Sequence, residues 1–407
     1  MTKRFRFQLT AFMPAEPACL EHPYASEAYL PELITLPQEP DGRKVQLFRA
    51  FTAARCFEYN GLTLCGESSA DCSKEEKMKL FWKLAAGLLV VSLMSPLQAA
   101  GPKKSKPIPV IFDTDIGDDI DDTWALVFLL KCPELDLKLV VGDNGRVNYR
   151  AKLLAKLLQT AGRTDVPVGM GIHTGPRGPG RQGPWVRDYD LSSYPGKVHR
   201  DGVQALIDMI MHSKERITLI ATGPVPNLAE ALRREPRIAE RVRFVGMHGS
   251  VRKGYGGSKK ISAEYNVRAD IKACQKVLSA PWDITITPLD TCGVVQLKGR
   301  RYLTVRDCPE KLTRALITNY RIWARAMKMD PEKQSSILFD TVAIYLGFTD
   351  KLLKIEKLPI RVTDEGYTVI DPKGKLMRVA TEWKDLEAYY DFLVKRVTGP
   401  IVKPGRR

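Results

Sequence analysis

The chain has 407 residues and a hydrophobic fraction of 44%, enough for the core of one large α/β domain or two ordinary domains. Its formal net charge of +16 would suit a nucleic acid or an anionic surface as partner. Lys and Arg are spread along the chain without a dense basic tract, however, and no nucleic-acid-binding motif is present, so we expect no nucleic-acid partner. The eight cysteines form no Cys-x-x-Cys pair, which disfavours a zinc site.

Residues 78–100 have the pattern of a secretory signal peptide: a basic start, an apolar core at 84–94, and small residues up to Ala100. The apolar core is short for a membrane helix, so we expect no stable span. Because a signal peptide should open a chain, we expect translation to start at Met78 and residues 1–77 to be a non-native or disordered extension. The alternative is a genuine extension with an internal anchor helix. On the first interpretation the mature domain is 101–407, and the protein is periplasmic or secreted.

Six aspartates fall within ten residues in the segment DTDIGDDIDD at 113–122. The apolar run before it, 108–112, predicts a buried parallel strand, and the run after it, 124–130, predicts the start of a buried helix. Carboxylates this close raise one another's pKa, and a helix amino end offsets only about 1 kcal/mol of that repulsion. A hard divalent cation such as Ca²⁺ would offset it fully. The alternative is a solvated acidic loop with one N-cap aspartate.

Further strands are predicted by the apolar runs at 137–142, 166–170, 217–221, 242–247 and 284–290, with helical patterns between them. This alternation predicts an α/β fold with a mostly parallel, Rossmann-like open sheet and helices on both faces. Ligands bind such sheets beyond the carboxyl ends of the strands, where Asp113, Asp115, Asp143 and Asn144 fall. Residues 172–200, rich in Gly, Pro and Arg, predict either a mobile flap over the site or a plain surface insertion.

The later part of the chain reads as packing elements. A helical pattern at 308–327 and a β-rich segment at 358–379 are followed by an amphipathic helix. The apolar residues expected to face inward from this last helix are Trp383, Leu386, Tyr390, Leu393 and Val397.

Four segments resemble the inosine-uridine preferring nucleoside hydrolase family. The segment at 113–122 is similar to the family's Asp-x-Asp-x-Gly-x-Asp-Asp opening, TGPVPNLA at 222–229 to its Thr-Gly-Pro-Leu-Thr-Asn-Leu-Ala turn, and EYN at 264–266 to its Glu-Phe-Asn. LFD at 338–340 resembles a family His-Asp, with Phe339 in place of the His. The resemblance implies that 101–407 is a nucleoside hydrolase-like catalytic domain, which cleaves the N-glycosidic bond of a nucleoside or related riboside with metal-activated water.

The resemblance also implies roles for individual residues. Asp115 would be the general base. Counting from the strand makes Asp119 the later metal ligand of the acidic segment, whereas counting back from the helix gives Asp122, which the helix phase favours. The implied calcium ligands are Asp115, Asp119 or Asp122, the main-chain carbonyl of Thr222, and Asp340. The implied substrate-binding residues are Asp121, Asp143, Asn144, Glu264 and Asn266.

Phe339 leaves the protonation of the departing base without its usual donor. His248, His173 or a flap residue would have to replace it, or the leaving group needs no proton. The same residues allow two rival functions. The first is a non-catalytic, calcium-dependent sugar- or nucleoside-binding protein. The second is an aspartate-nucleophile phosphatase, because the segment Phe112-Asp-Thr-Asp resembles the opening motif of that class. The sequence is also compatible with a homo-oligomer.

Overall fold

The computed structural model describes residues 106–175 and 178–401, which fall within one unit of the chain, Gln98–Arg407. The predicted extension at 1–77 and the predicted signal peptide at 78–100 lie outside these residues. In the ranges that are described, no helix has both the length and the apolar character needed to cross a bilayer.

Ten strands of the described residues form one sheet. In chain order they are β1 (Ile108–Thr114), β2 (Leu135–Gly142), β3 (Val168–Met170), β4 (Val198–His199), β5 (Ile217–Ala221), β6 (Val242–Met247), β7 (Asp283–Thr287), β8 (Leu353–Val362), β9 (Thr368–Ile370) and β10 (Lys375–Trp383). Their spatial order is β4-β3-β2-β1-β5-β6-β7-β10-β8-β9. The pairs from β4 to β10 are parallel, while β8 and β9 complete one edge in antiparallel pairing.

The α-helices of the described residues connect and flank these strands. In chain order they are α1 (Asp121–Leu130), α2 (Val147–Thr160), α3 (Gly183–Val186), α4 (Gly202–His212), α5 (Pro226–Arg234), α6 (Ile238–Arg241), α7 (Tyr265–Ala269), α8 (Ile271–Ser279), α9 (Leu289–Cys292), α10 (Gly299–Arg306), α11 (Lys311–Ala326), α12 (Thr341–Leu346) and α13 (Leu386–Thr398).

The core lies on both faces of the sheet. Along β1, Val110 and Phe112 join one buried cluster, to which α1, α2, α11, α12 and α13 contribute, whereas Ile111 joins a second cluster with α4, α5 and α8. A strand buried on both faces requires a continuous apolar run, which is why the alternation of a half-exposed strand is absent from β1. The structure confirms the predicted mostly parallel α/β sheet with helices on both faces.

Three predictions at element ends were wrong. The strand expected to run to residue 290 ends at Thr287, and α9 follows it. It does not complete the parallel set, because β10 pairs parallel to β7 on its other side. Trp383, expected on the last helix, ends β10.

Candidate active site

The acidic turn between β1 and α1 has a backbone that favours glycine at one position. Gly117 has a φ of +113°, and a Cβ there would lie 2.5 Å from Cε1 of Tyr149. The Tyr149 hydroxyl donates a hydrogen bond of 3.0 Å to the Gly117 carbonyl oxygen. The turn is therefore fixed against α2, and this fixes the directions of the carboxylates on either side of Gly117.

Arg150 of α2 is a buried cation that joins two strand-end loops. Its Nη1 donates to the carbonyl oxygens of Asp115 and, at 2.7 Å, Ile116. Its Nε donates to the carbonyl oxygen of Asn144 at 2.7 Å. Sequence reasoning missed Arg150, because the predicted helix began at Ala151. The signal that could have found it is its spacing: Arg150 precedes the core-facing Leu153, Leu154 and Leu157 by three, four and seven positions and so lies on the same helix face.

Asp118 is the ion-paired member of the acidic turn. Its two carboxylate oxygens accept from Nη1 of Arg146 at 2.6 Å and from Nη2 of Arg150 at 2.8 Å. Its carbonyl oxygen accepts from Nη1 of Arg181 at 2.8 Å and from the indole N–H of Trp323 at 3.1 Å. Asp118 therefore anchors the acidic turn to the segments that carry these donors.

Three other carboxylates come together without such a partner. Asp121, Asp122 and Asp340 are buried, and they offer ligand oxygens that all lie within 4.8 Å of one another. Burial raises the pKa of Asp121 and Asp340 well above the usual range, and the neighbouring carboxylates raise it further. Burial also raises the pKa of Asp122 to about 6, against hydrogen bonds from Thr114 and Thr222 that lower it. We call these three residues the carboxylate trio.

The donor set of the carboxylate trio fits a hard divalent cation. Within the described part of the chain, no Lys or Arg forms an ion pair with any of the three. Asp340 stands at the N-cap of α12, yet its side chain accepts no hydrogen bond from the helix amino end. Buried carboxylates that are neither capping nor ion-paired are costly unless a cation binds them, and oxygen donors are what Ca²⁺ and Mg²⁺ prefer.

The remaining predicted metal ligands are placed differently. Asp115 is buried beside the trio, and its pKa is raised by burial and then by Asp122. Thr222 donates from Oγ1 to Asp122 at 2.9 Å, and its main-chain carbonyl accepts from Nδ2 of Asn266 at 2.9 Å. Asp119 is exposed and its carboxylate accepts from the N–H of Ile120 at 2.6 Å. The structure thus brings Asp122 into the trio and leaves Asp119 outside it.

Asp143 lies below the site and supports the adjoining turn. Its carboxylate accepts from the backbone N–H of Asn144 at 2.8 Å and of Val225 at 2.9 Å, and burial raises its pKa to about 6. Val225 has a φ of +64°, which a β-branched residue rarely adopts, and the bond to Asp143 helps to hold it there. At Gly223 a Cβ would lie 2.8 Å from Oδ2 of Asp143. The Asp143 side chain, which was predicted to bind substrate, instead accepts hydrogen bonds from backbone N–H groups.

The carboxylate trio, Asp115 and Thr222 line a cavity of about 550 Å³ beyond the carboxyl ends of β1, β5 and β6. Its buried lining, which we call the floor, is formed by Asp115, Asp121, Asp122, Gly145, Arg150, Thr222, Met247, Glu264, Asn266 and Asp340. Its exposed or half-buried lining, which we call the mouth, is formed by Asp118, Asp119, Asn144, Arg146, Gly175, Arg181, Tyr255, Tyr265 and Phe339.

Glu264 and Asn266 place polar oxygens on the floor. Glu264 caps α7 by accepting from the N–H of Asn266 at 2.7 Å, and it also accepts from the N–H of Gly249 at 3.0 Å. Burial raises the pKa of Glu264 to about 7. Asn266 donates to the carbonyl oxygens of Thr222 and, at 3.1 Å, Met247, while its Oδ1 accepts from no described residue. Asn144, the other predicted substrate contact, stands at the mouth and accepts from Oγ1 of Thr174.

No histidine of the described residues lines this cavity. His248 is fully buried, its Nε2 lies 3.0 Å from the Gly223 carbonyl oxygen, and burial lowers its pKa to about 4. His173 lines a neighbouring cavity, with Nδ1 2.5 Å from the Gly145 carbonyl oxygen. Phe339 stands at the mouth with its ring edge-on to Tyr255, the centroids 6.2 Å apart. The two histidines considered as replacement acids are therefore not in position.

The segment predicted as a flap or an insertion contributes to the mouth through Gly175 and Arg181. Its residues after 177 contain α3 and β4 and pack on the domain. Gln182 is buried, and its Oε1 accepts from Oγ1 of Thr123 at 3.0 Å. This part of the segment borders the site.

The fold and the site together define a protein with an open α/β sheet and a cavity lined by buried carboxylates beyond the carboxyl ends of its strands. The sequence profile described as inosine-uridine preferring nucleoside hydrolase matches residues 110–391. The chain belongs to this family, and it is a hydrolase that acts on N-glycosyl compounds.

Individual relatives agree with this assignment. The chain is 28% identical to the non-specific ribonucleoside hydrolase RihC of Klebsiella pneumoniae, in a match covering 66% of this chain and 90% of the relative. It is 29% identical to the inosine-uridine preferring nucleoside hydrolase of Leishmania major, covering 68% and 93%. Among solved structures, a purine-preferring ribonucleoside hydrolase from Gardnerella vaginalis is similar with a TM-score of 0.62 and 21% identity, covering 73% of this chain and 100% of that one. This last likeness supports the fold alone.

Proposed function

We propose that this protein hydrolyses the N-glycosidic bond between ribose and base in a nucleoside or related riboside, and that calcium is required. The observation that carries the proposal is the carboxylate trio, which has no ion-pair partner among the described residues and lies on the floor of a cavity whose other polar groups suit sugar hydroxyls. Ca²⁺ suits a site of this kind, because it accepts carboxylate and carbonyl oxygens in irregular geometry, whereas Mg²⁺ demands near-octahedral order.

The residues that would hold calcium are Asp115, Asp122, Thr222 and Asp340, with Asp121 beside them. When bound, the ion would lower the pKa of a water molecule and orient the sugar diol. Asp115 would take the proton of that water as general base. Glu264 and the free Oδ1 of Asn266 would accept hydrogen bonds from sugar hydroxyls. The anomeric carbon becomes positive as the base departs, and the buried carboxylates of the floor favour that charge.

The positions of Asp113 and Phe339 bear on the two rival functions. Asp113, the first carboxylate of the phosphatase-like motif, is fully buried, does not line the cavity and accepts from Nδ2 of Asn227 at 2.8 Å, which disfavours an aspartate-nucleophile phosphatase. Phe339 at the mouth is what a non-catalytic nucleoside-binding protein would tolerate, so the test must separate binding from release of the base.

The test measures base release from inosine and uridine by purified protein in calcium, in magnesium and in chelator, together with calcium calorimetry. We expect release in calcium, loss in chelator, and loss of both calcium heat and release in Asp340→Asn. The matched control is Asp364→Asn, which changes an exposed carboxylate that does not line the cavity and should behave as wild type. Undiminished release in chelator would overturn the calcium requirement, and tight nucleoside binding without release under excess enzyme would favour the binding protein.

We also propose, from the pattern of residues 78–100, that the protein acts in the periplasm or outside the cell. Mass spectrometry of the native protein tests this. An amino terminus near Gly101 would support it, and an intact peptide from residues 5–44 would contradict the start at Met78.

A further inference from the structure

The departing base poses a charge problem that the floor does not solve. When the bond from the anomeric carbon to nitrogen breaks, the electron pair stays on the base, which becomes an anion unless it is protonated. The usual donor position holds Phe339, and the described histidines lie outside the cavity. Some other group of the mouth has to meet this charge.

The position of the base follows from the proposed function, on which this inference rests. If the sugar hydroxyls bind the floor, the base lies among the mouth residues, which are the exposed or half-buried part of the lining. Three of the cavity-lining residues are cationic: Arg146, Arg150 and Arg181. The base therefore has three candidate cations near it.

Two of these cations are already ion-paired. Arg146 and Arg150 both pair with the carboxylate of Asp118, at 2.6 and 2.8 Å. Among the described residues, Arg181 makes one hydrogen bond, from Nη1 to the carbonyl oxygen of Asp118 at 2.8 Å, and no ion pair. Burial raises the pKa of Asp119, and Arg181 is close enough for its charge to offset part of that rise. Most of its guanidinium donors are thus available to a ligand.

The backbone on both sides of Arg181 is fixed against the acidic turn. At Gly180 a Cβ would lie 2.8 Å from the Gly117 carbonyl oxygen, so the two segments are in close contact. The N–H of Gln182 donates to the Tyr149 hydroxyl at 2.9 Å, and its Nε2 donates to the Asp119 carbonyl oxygen at 3.3 Å. A cation that is held in place before the reaction stabilises a developing charge without reorganisation.

We propose that Arg181 stabilises the negative charge on the departing base, in place of a protonating histidine. The bond from the anomeric carbon to the base nitrogen breaks, and its electron pair goes to the base. The water oxygen bonds to the anomeric carbon, and Asp115 takes the water proton. The base leaves as an anion paired with Arg181 and then takes a proton from solvent, while Asp115 returns its proton to solvent. Because a guanidinium does not give up its own proton, Arg181 acts by charge and hydrogen bonding.

The test compares leaving groups in Arg181→Met, which keeps a long side chain and removes the charge. For inosine and uridine we expect kcat to fall by about 10²–10³-fold, as for loss of one oxyanion donor. For p-nitrophenyl riboside, whose leaving group is a stable anion, kcat should stay close to the wild-type value. Arg181→Lys should restore part of the loss, and guanidinium ion added to Arg181→Ala should do the same.

The matched control is Arg187→Met, which removes an exposed arginine of the same segment that does not line this cavity. It should behave as wild type with both substrates. An equal loss on both substrates in Arg181→Met, or no loss with nucleosides, would overturn the role of Arg181. So would a nucleoside-selective loss found in Tyr255→Phe or Tyr265→Phe and absent in Arg181→Met. Failure of wild-type protein to cleave p-nitrophenyl riboside in calcium would instead overturn the proposed function.

Discussion

At the scale of single residues, Arg150 shows how a buried charge can fix the backbone of a site. Its guanidinium donates to carbonyl oxygens of both strand-end loops and to Asp118. In Arg150→Met these buried acceptors lose their donor, so we expect the free energy of unfolding to fall by about 3–5 kcal/mol. Urea denaturation in chelator measures this without the contribution of bound metal.

Arg146→Met is the matched control, because Arg146 pairs with the same Asp118 carboxylate but is 22% exposed. An ion pair near the surface contributes about 1 kcal/mol or less, so this variant should lose little stability. If both variants lost the same free energy of unfolding, the hydrogen bonds from Arg150 to the loop carbonyls would add no stability beyond that of an ion pair with Asp118.

How far the sequence predicts single residues depends on where their partners lie. The density of aspartates at 113–122 predicted an acidic site, because like charges require compensation wherever they point. The sequence did not separate ion-paired Asp118 from the carboxylate trio, since that depends on Arg146 and Arg150 at the start of another helix. For the same reason it did not show that Asp143 turns to the N–H of Val225.

At the scale of elements, strands β1, β5 and β6 were predicted within two residues of their observed bounds, because each is a short, mainly apolar run between clear turns. The end of β7 was not, since the apolar pattern continues past Pro288 into the buried Leu289, which begins a helix. Strand β4 has only two residues and gives no periodic signal. Pairing of β10 with β7 joins residues far apart in sequence, which local patterns do not encode.

The turn that joins β1 to α1 gives a prediction at this scale. Gly117→Ala forces a Cβ into a backbone with a φ of +113° and to within 2.5 Å of Cε1 of Tyr149. We expect a loss of about 1–2 kcal/mol from the backbone and a further ~1–3 kcal/mol from overpacking. Calcium affinity should also fall, because the aspartates after Gly117 would be displaced. Thermal denaturation and calcium calorimetry measure the two effects.

Gly162→Ala isolates the backbone contribution. Gly162 has a φ of +65°, but a Cβ there would meet nothing within 4 Å. In Gly162→Ala the free energy of unfolding should fall by only about 1–2 kcal/mol, and calcium affinity should be unchanged. A loss in Gly117→Ala no larger than in this control would contradict the close packing on Tyr149.

At the scale of the whole molecule, the site exists because the sheet brings distant segments together. Strands β1, β5 and β6 are neighbours, so the acidic turn, Thr222 and Met247 meet at one edge, and Asp340 arrives from the amino end of α12. Four short motifs predicted the family, and the alternation of strand and helix patterns predicted the fold. The strand order that makes the motifs converge was not predicted, because no local property of a segment encodes which strands become neighbours.

This convergence predicts a reversal of stability between two conditions. In chelator, wild-type protein must bury the carboxylates of Asp121, Asp122 and Asp340 together, so Asp340→Asn should unfold at a higher temperature than wild type. In calcium at 100 times its dissociation constant, binding stabilises wild type by about 2.7 kcal/mol, and the variant loses this gain. For a domain of this size, with an unfolding entropy of about 2.1 cal/mol/K per residue, that corresponds to a rise of roughly 4 °C in Tm. Scanning calorimetry of both proteins in both buffers measures the four temperatures. Equal calcium-induced shifts in the two proteins would mean that Asp340 does not bind the ion, whereas a reversal of their order on adding calcium would show that the same carboxylate destabilises the empty site and holds the metal.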